Sequence, residues 1–262
     1  MKSSRLLLTL ASVLIGLSGC VTDQATQKKL EDGKVALERN QFDTALANAD
    51  AVVKSDASKG DIAAGHYLHG RALEQRPKSD PAAAAGDLQL AKTDYNRALQ
   101  LGPSKKLEGY IRASLANVCY FQDDYATAFE QWSTAYDLLA ELDLKAWTLY
   151  RIGLSQQRMG RFAQADRSFM QVQSLYPNTE QANRSKEKQG ATNFQVQLAT
   201  FNNPKSADSA IAELKQQGVN ATKTTDVRGL TIVRVGPAAT YAEAMQIKQR
   251  FAAKYADSII LP

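Results

Sequence analysis

The sequence predicts an α + α/β two-domain protein, in which an α-solenoid of helical hairpins is followed by a small βαββαβ domain with a four-stranded antiparallel sheet. Three observations lead to this prediction. An aromatic-x-x-Ala pattern recurs through the first two thirds of the 262-residue chain. After residue 193, apolar residues alternate with polar ones, which is the period of a half-buried strand. Between these regions, residues 178–192 contain almost no large hydrophobic side chains, and this polar stretch indicates a domain boundary.

The composition is that of an ordinary globular chain with a mildly basic charge. Hydrophobic residues make up 44% and charged residues 23% of the sequence, and the formal net charge is +5. This balance suits an anionic surface, but it lacks the dense basic stripe of a dedicated nucleic-acid binder. We therefore expect no nucleic acid among the partners.

The N-terminus has the pattern of a secretory signal. A cationic stretch at 1–5 precedes an apolar run at 6–17, and the small residues Ser18 and Gly19 come before Cys20. The apolar run is too short for a transmembrane helix, which needs about 20 residues. The sequence therefore predicts export from the cytoplasm.

The residues around the end of this signal, LSGC at 17–20, resemble the lipobox of bacterial lipoproteins. The resemblance implies cleavage before Cys20 and acylation of its side chain, with a signal peptide at 1–19 and a lipid-anchored linker at 20–27. Residue 21 is Val rather than Asp, the usual inner-membrane retention mark, which implies the outer membrane with the protein facing the periplasm. The alternative is an ordinary signal in which the cysteine is incidental.

The middle of the chain repeats a helical hairpin pattern. Phe42, Tyr125 and Phe162 each begin an aromatic-x-x-Ala group, and each lies nine residues after a small residue. This spacing resembles that of the tetratricopeptide repeat, a helix-turn-helix of about 34 residues. A domain of about four such hairpins is expected at 28–177, the second of them with an insertion near 76–90.

Solenoids of this family bind peptides in a concave groove lined by the first helix of each repeat, so the resemblance implies a peptide or protein partner. The alternative is that the aromatic residues at the predicted groove positions pack against the next hairpin or an end cap. The expected groove residues are Tyr110, Asn117, Tyr120, Phe121, Trp147, Tyr150, Leu154 and Arg158.

The polar segment 178–192 allows two interpretations. It could form a capping helix that ends near Gly190, which solenoids need at their ends, or a flexible linker.

From residue 193 the sequence predicts a strand, helix, strand, strand, helix, strand order. The first helix begins at Asn203-Pro204 and ends at Gly218, and a capping box at 240–243 opens the second. The expected strands are one around Phe194, Val196 and Leu198, one at 219–225, one at 230–235 that ends at Gly236-Pro237, and one at 259–261.

This last region resembles the SPOR (sporulation-related) domain. The resemblance is carried by VQLATF, by a helix ending KQQG, by IVRVGP and by a second helix opening TYAEA. It covers 193–262 and implies a ferredoxin/RNP-like fold that binds peptidoglycan, preferring the denuded glycan strands found at the division septum. Two dipeptides depart from the family pattern: Ala199-Thr200 replaces Gly-Ser, and Thr231-Ile232 replaces an aromatic-Arg pair.

One face of the expected sheet carries candidate glycan ligands. If the apolar positions face the helices, Gln195, Gln197, Ile232 and Arg234 project from the opposite face, and Thr200 lies at the strand end. Amide groups donate to and accept from sugar hydroxyls, and the Arg234 fork fits the lactyl carboxylate of a denuded muramic acid. The alternative is a solvated polar face without a ligand.

Catalytic and metal-binding patterns are missing from the sequence. No GxSxG, HExxH, P-loop or GxGxxG motif is present, so we expect neither an enzyme nor a cofactor. His66 and His69 have helical i, i+3 spacing, but no cysteine or carboxylate cluster in the sequence completes a metal site around them.

Two functions are compatible with this organisation. The first is a non-enzymatic, peptidoglycan-binding outer-membrane lipoprotein whose repeats scaffold a protein partner at the cell wall, with enrichment at the division septum. The second is an assembly lipoprotein or pilotin for a pilus or secretion complex, with the C-terminal domain only as a cell-wall tether.

Overall fold

The computed structural model describes the backbone of residues 18–262 and the side chains from residue 24 onward. The signal sequence up to residue 17 and the side chain of Cys20 lie outside the described residues. The described chain divides into two compact units, one up to Leu107 and one from Glu108 to the C-terminus.

The first unit consists of two helical hairpins. Their helices are α1 (Ser18–Glu38), α2 (Phe42–Val53), α3 (Lys59–Gln75) and α4 (Pro81–Gln100). Helix α1 includes residues 20–27, for which a linker is expected. Small residues allow the helices to pack closely: a Cβ atom added at Gly70 of α3 would lie 2.7 Å from the ring of Tyr95 on α4.

The interruption in the second hairpin is short. Only residues 76–80 separate α3 from α4, and the alanine run at 82–85 is helical. The side chain of Asp80 caps α4 by accepting hydrogen bonds from two backbone amides, and Pro81 occupies the first turn. Alanine has the highest helix propensity, so the run extends α4 towards the N-terminus and forms no loop.

The second unit begins with two further hairpins. Their helices are α5 (Lys105–Phe121), which starts just before the unit boundary, α6 (Tyr125–Leu138), α7 (Leu142–Arg158) and α8 (Phe162–Leu175). Close packing again depends on a glycine, because a Cβ atom at Gly153 of α7 would lie 2.5 Å from the ring of Phe169 on α8.

Residues 180–188 form a ninth helix, α9 (Glu180–Lys188), which packs on α7 and α8. The Thr179 side chain caps its first turn, and Ala182 and Ser185 are buried. At its C-terminal end, the Gln157 side chain donates to the carbonyl of Lys188, and the amide of Gly190 donates to the Asp166 carboxylate. The polar stretch is thus held against the preceding hairpin.

The C-terminal region has the βαββαβ order. Strand order in the sheet is β2-β3-β1-β4, with every neighbouring pair antiparallel. Both helices cover one face, where Val196, Leu198 and Val233 are buried together with Leu214 and Phe251. The elements are β1 (Phe194–Phe201), α10 (Pro204–Gln216), β2 (Ala221–Thr225), β3 (Thr231–Ala238), α11 (Tyr241–Phe251) and β4 (Ile259–Leu261).

These elements confirm the predicted fold class, a helical repeat region followed by a four-stranded antiparallel sheet domain. One boundary differs, because β3 continues through Gly236-Pro237 to Ala238. The pairing with β1 is irregular between Phe194 and Val196, opposite this dipeptide. Proline has no amide to donate to the ladder and is tolerated at such an irregularity.

Candidate glycan-binding face and repeat groove

The uncovered face of the sheet carries the side chains expected there. Along β1, Gln195 and Gln197 are half-buried between fully buried neighbours, and on β3 Ile232 and Arg234 alternate in the same way with buried residues. Gln197 lies directly opposite Arg234 in the β1–β3 pairing. The sheet thus brings these four side chains onto one surface.

Thr200 joins this surface through a bulge. The β1–β3 register shifts between Gln197 and Ala199, so that Thr200 lies opposite Ile232. Strict alternation from Gln197 would have turned Thr200 towards the helices. Instead its hydroxyl accepts a hydrogen bond of 3.2 Å from the Gln197 side-chain amide. The extra residue therefore puts all five candidate ligands on one face.

Arg234 is the central cation of this face. Its Nε atom is inaccessible to solvent and has no hydrogen-bond partner among the described residues. A buried donor without an acceptor is unfavourable by about 1–3 kcal/mol. The unsatisfied N–H of this half-buried side chain favours a ligand that brings its own acceptor oxygens.

The outer strands extend the face in ways that the sequence analysis missed. Thr222 of β2 lies opposite Arg234, and Thr224 lies opposite Ile232. On the other side, Ile259 and Leu261 of β4 lie opposite Gln197 and Gln195. The face thus carries threonine hydroxyls along one edge and aliphatic side chains along the other. The period of two would have identified these four residues of β2 and β4 if the register of the two strands had been known.

The groove residues predicted on α5 have mixed environments. Tyr110 donates a hydrogen bond to the Glu141 carboxylate, and Asn117 is half-buried. Phe121 is 62% exposed at the end of the helix. Tyr120 packs edge-on against the neighbouring Phe121 at a centroid distance of 6.2 Å.

On α7, the predicted groove residues are buried or half-buried. Tyr150 is almost fully buried against Phe169, and its burial raises the pKa of the phenol. Trp147 is half-buried, with the Arg184 guanidinium of α9 5.3 Å from its ring centroid. Leu154 is half-buried one turn before Arg158. A cleft beside Tyr150 is lined on the α9 side by Glu180, Asn183, Arg184, Glu187 and Lys188.

Two predicted groove residues, Tyr120 and Arg158, meet each other and a side chain from the sheet domain. The Arg158 Nε donates to the Tyr120 hydroxyl at 3.2 Å. The same guanidinium lies 3.7 Å from the ring centroid of Tyr241, in the first turn of α11. The sequence analysis did not anticipate Tyr241 here, because nothing in the local pattern relates α7 to a helix more than 80 residues away.

The sequence analysis also missed a polar cluster in the first unit. His66 and His69 of α3 each direct Nδ1 at one oxygen of the Asp94 carboxylate on α4, at 2.8 and 2.7 Å. The other side of His69 faces Asp50 of α2, at 3.6 Å. The hydrogen bond that the Asp94 carboxylate accepts raises the pKa of His69 above its usual value.

None of the helices from residue 18 onward is both long enough and apolar enough to cross a bilayer.

Comparison with known proteins identifies two kinds of domain. Residues 190–262 match the family model of the SPOR domain, and residues 147–179 match that of a tetratricopeptide repeat. The chain therefore contains a SPOR domain at its C-terminus, preceded by a repeat that coincides with α7 and α8.

Among solved structures, one entitled "Crystal structure of MamA protein" is similar at 14% identity and a TM-score of 0.48. The similarity covers 74% of this chain and 93% of that chain. No curated protein sequence matches the chain.

The two families imply the general roles of the matched regions. A SPOR domain implies peptidoglycan binding and association with the cell wall, and a tetratricopeptide repeat implies protein–protein interaction. Both are binding domains, and neither is a catalytic domain.

Proposed function

We propose that this chain is a non-enzymatic lipoprotein of the outer membrane, anchored through Cys20, that faces the periplasm and binds denuded glycan strands of peptidoglycan. Its helical repeats then scaffold a protein partner at the cell wall or the division site. The observation that carries the glycan-binding role is the uncovered face of the sheet, with the unsatisfied Arg234 Nε at its centre.

The chemistry of the face suits a denuded glycan strand. Gln195 and Gln197 offer amide donors and acceptors for hydroxyl and N-acetyl groups. The Arg234 guanidinium fits the lactyl carboxylate that is exposed when an amidase removes the stem peptide. Ile259 and Leu261 supply an aliphatic edge against which a sugar ring or acetyl methyl group packs. Because a stem peptide would cap that carboxylate, intact strands should bind more weakly.

Co-sedimentation with sacculi tests this assignment. The chain from residue 21 onward is mixed with purified sacculi, with or without prior amidase treatment, and the pelleted fraction is measured. We expect stronger pelleting with treated sacculi, and Arg234→Gln should weaken it about tenfold because a charge-assisted bidentate contact is lost.

Arg228→Gln is the matched control. Arg228 is an exposed arginine of the same domain, paired with Asp226 in the β2–β3 turn, so the substitution changes net charge equally without touching the face. Equal pelleting of the Arg234→Gln and wild-type chains would reject the proposed face. Failure of the wild-type chain to pellet with treated sacculi would reject glycan binding and favour the role of an assembly lipoprotein.

A further inference from the structure

The SPOR domain has a second surface, on the side of α11, and this surface is in contact with the helical hairpins of the second unit. Tyr241 is its centre. Beside the Arg158 guanidinium, its ring meets Tyr125 of α6 edge-on at 5.7 Å and Phe194 of β1 at 5.8 Å. Tyr241 thus connects α6 and α7 with the core of the sheet domain.

A second ring supports the same contact from the repeat side. Phe162, the first residue of α8, packs on Phe194 with centroids 5.2 Å apart. Phe162 is also one of the partly buried side chains that cover the hydrophobic core of the sheet domain. That core therefore continues onto the last hairpin, instead of closing within residues 193–262.

The backbone approaches closely at the same place. Gly160, in the turn between α7 and α8, has φ +75°, and a Cβ atom there would lie 2.9 Å from the carbonyl oxygen of Ala239. A side chain at this position would push against the SPOR backbone. The contact is thus built from four rings, one cation and one glycine.

We propose that the SPOR domain and the hairpins α5–α8 form one cooperative unit, closed by Tyr241 on Arg158 and by Phe162 on Phe194. The Tyr120–Arg158 end of the expected partner groove is then occupied by a side chain of the same chain. This proposal does not depend on glycan binding, since the contact lies on the helix side of the sheet.

Amide hydrogen exchange on the chain from residue 21 onward tests the proposal. In the wild-type chain, β1 and the first turns of α6 and α8 should open together and share similar protection. Arg158→Ala should speed exchange in β1 and α11 about tenfold, because a desolvated cation–π contact is removed from the repeat side with the SPOR sequence intact. Exchange in α1–α4 should stay unchanged.

Two matched controls separate this effect from general destabilisation. Arg167→Ala removes an exposed arginine from α8 and should leave exchange in β1 and α11 unchanged. Gly160→Ala should likewise speed exchange in β1 and α11, whereas Gly102→Ala, with φ +68° and no atom within 4 Å of the added Cβ, lies outside the proposed unit and should leave β1 and α11 unchanged.

The proposal would be overturned if β1 and α8 of the wild-type chain exchanged at unrelated rates. It would also be overturned if Arg158→Ala and Arg167→Ala behaved alike. Sacculus binding, measured on the same samples, tests the uncovered face independently. If sacculus binding alone were lost, the proposed function would be rejected and the contact between the SPOR domain and the hairpins would stand.

Discussion

At the scale of single residues, the Asp94 carboxylate accepts contacts from two histidines, and this arrangement makes the first unit sensitive to pH. His69 lies between Asp94 of α4 and Asp50 of α2, while Lys54, the residue after α2, opposes its protonation. The carboxylates outweigh the lysine and burial, so the folded pKa of His69 lies above the unfolded value of 6.5. Protonated His69 therefore holds α2, α3 and α4 together.

We predict that the free energy of unfolding of the first unit falls as pH rises from below 6.5 through the raised folded pKa of His69. A raised folded pKa gives stabilisation that is complete below the unfolded pKa and is lost as pH rises through the folded pKa. Urea denaturation followed by hydrogen exchange in α3 measures it. His69→Gln and Asp94→Asn should both flatten this dependence; a wild-type curve that is flat or rises with pH contradicts the assignment.

At the scale of elements, the helical hairpins depend on where a glycine faces a ring. Gly70 and Gly86 belong to the same hairpin, on α3 and α4. A Cβ atom at position 70 would overlap the Tyr95 ring, whereas one at position 86 has no atom within 4 Å. Gly70 therefore permits close packing of α3 on α4, whereas Gly86 only lowers the stability of its helix.

Substitution with alanine should separate them. Gly70→Ala should destabilise the first unit by about 1–3 kcal/mol through overpacking against the buried Tyr95. Gly86→Ala should stabilise it by up to about 1 kcal/mol, because alanine is the better helix former. The midpoint of urea unfolding, followed by circular dichroism, measures both. Equal effects of the two substitutions would show that contact with Tyr95 is unimportant.

The elements also show what local patterns can predict. Local patterns were sufficient to predict the strands, the helices and the fold class. Examples are the period of two in Phe194, Val196 and Leu198 and the capping box at 240–243. The bulge at Leu198 was not foreseeable, because it depends on how β1 pairs with β3 and leaves the local alternation unchanged. The continuation of β3 beyond Pro237 was missed for the same reason.

At the scale of the whole molecule, the least predictable feature is the contact of Tyr241 with Arg158. Each residue has an ordinary local role, one in the first turn of α11 and the other in the last turn of α7. Contacts between distant segments follow from three-dimensional packing, and hydrophobic periodicity carries no information about them. The aromatic residues of α5 and α7 suggested a groove, but the pattern could not show that Tyr120 and Arg158 meet a ring from the same chain.

The proposed anchor gives a prediction for the whole molecule. Cys20→Ser should abolish incorporation of radiolabelled palmitate and release the chain from the membrane fraction into the soluble periplasmic fraction, because the acyl chains supply the membrane affinity. Ser18→Ala is a suitable control, since it keeps the acceptor thiol. Unchanged palmitate labelling of the Cys20→Ser chain would refute lipidation at this residue.

The bonds around α9 have a mechanical consequence. In a chain tied to lipid at one end and to glycan through β1 and β3, tension would enter the sheet domain at the start of β1. The bonds from Gln157 to Lys188 and from Asp166 to Gly190 lie just before this point, on the C-terminal side of α9. They would transmit this load to α7 and α8, so that a pull between a membrane anchor and a bound glycan strand would strain the last hairpin before it separated β1 from its neighbouring strands.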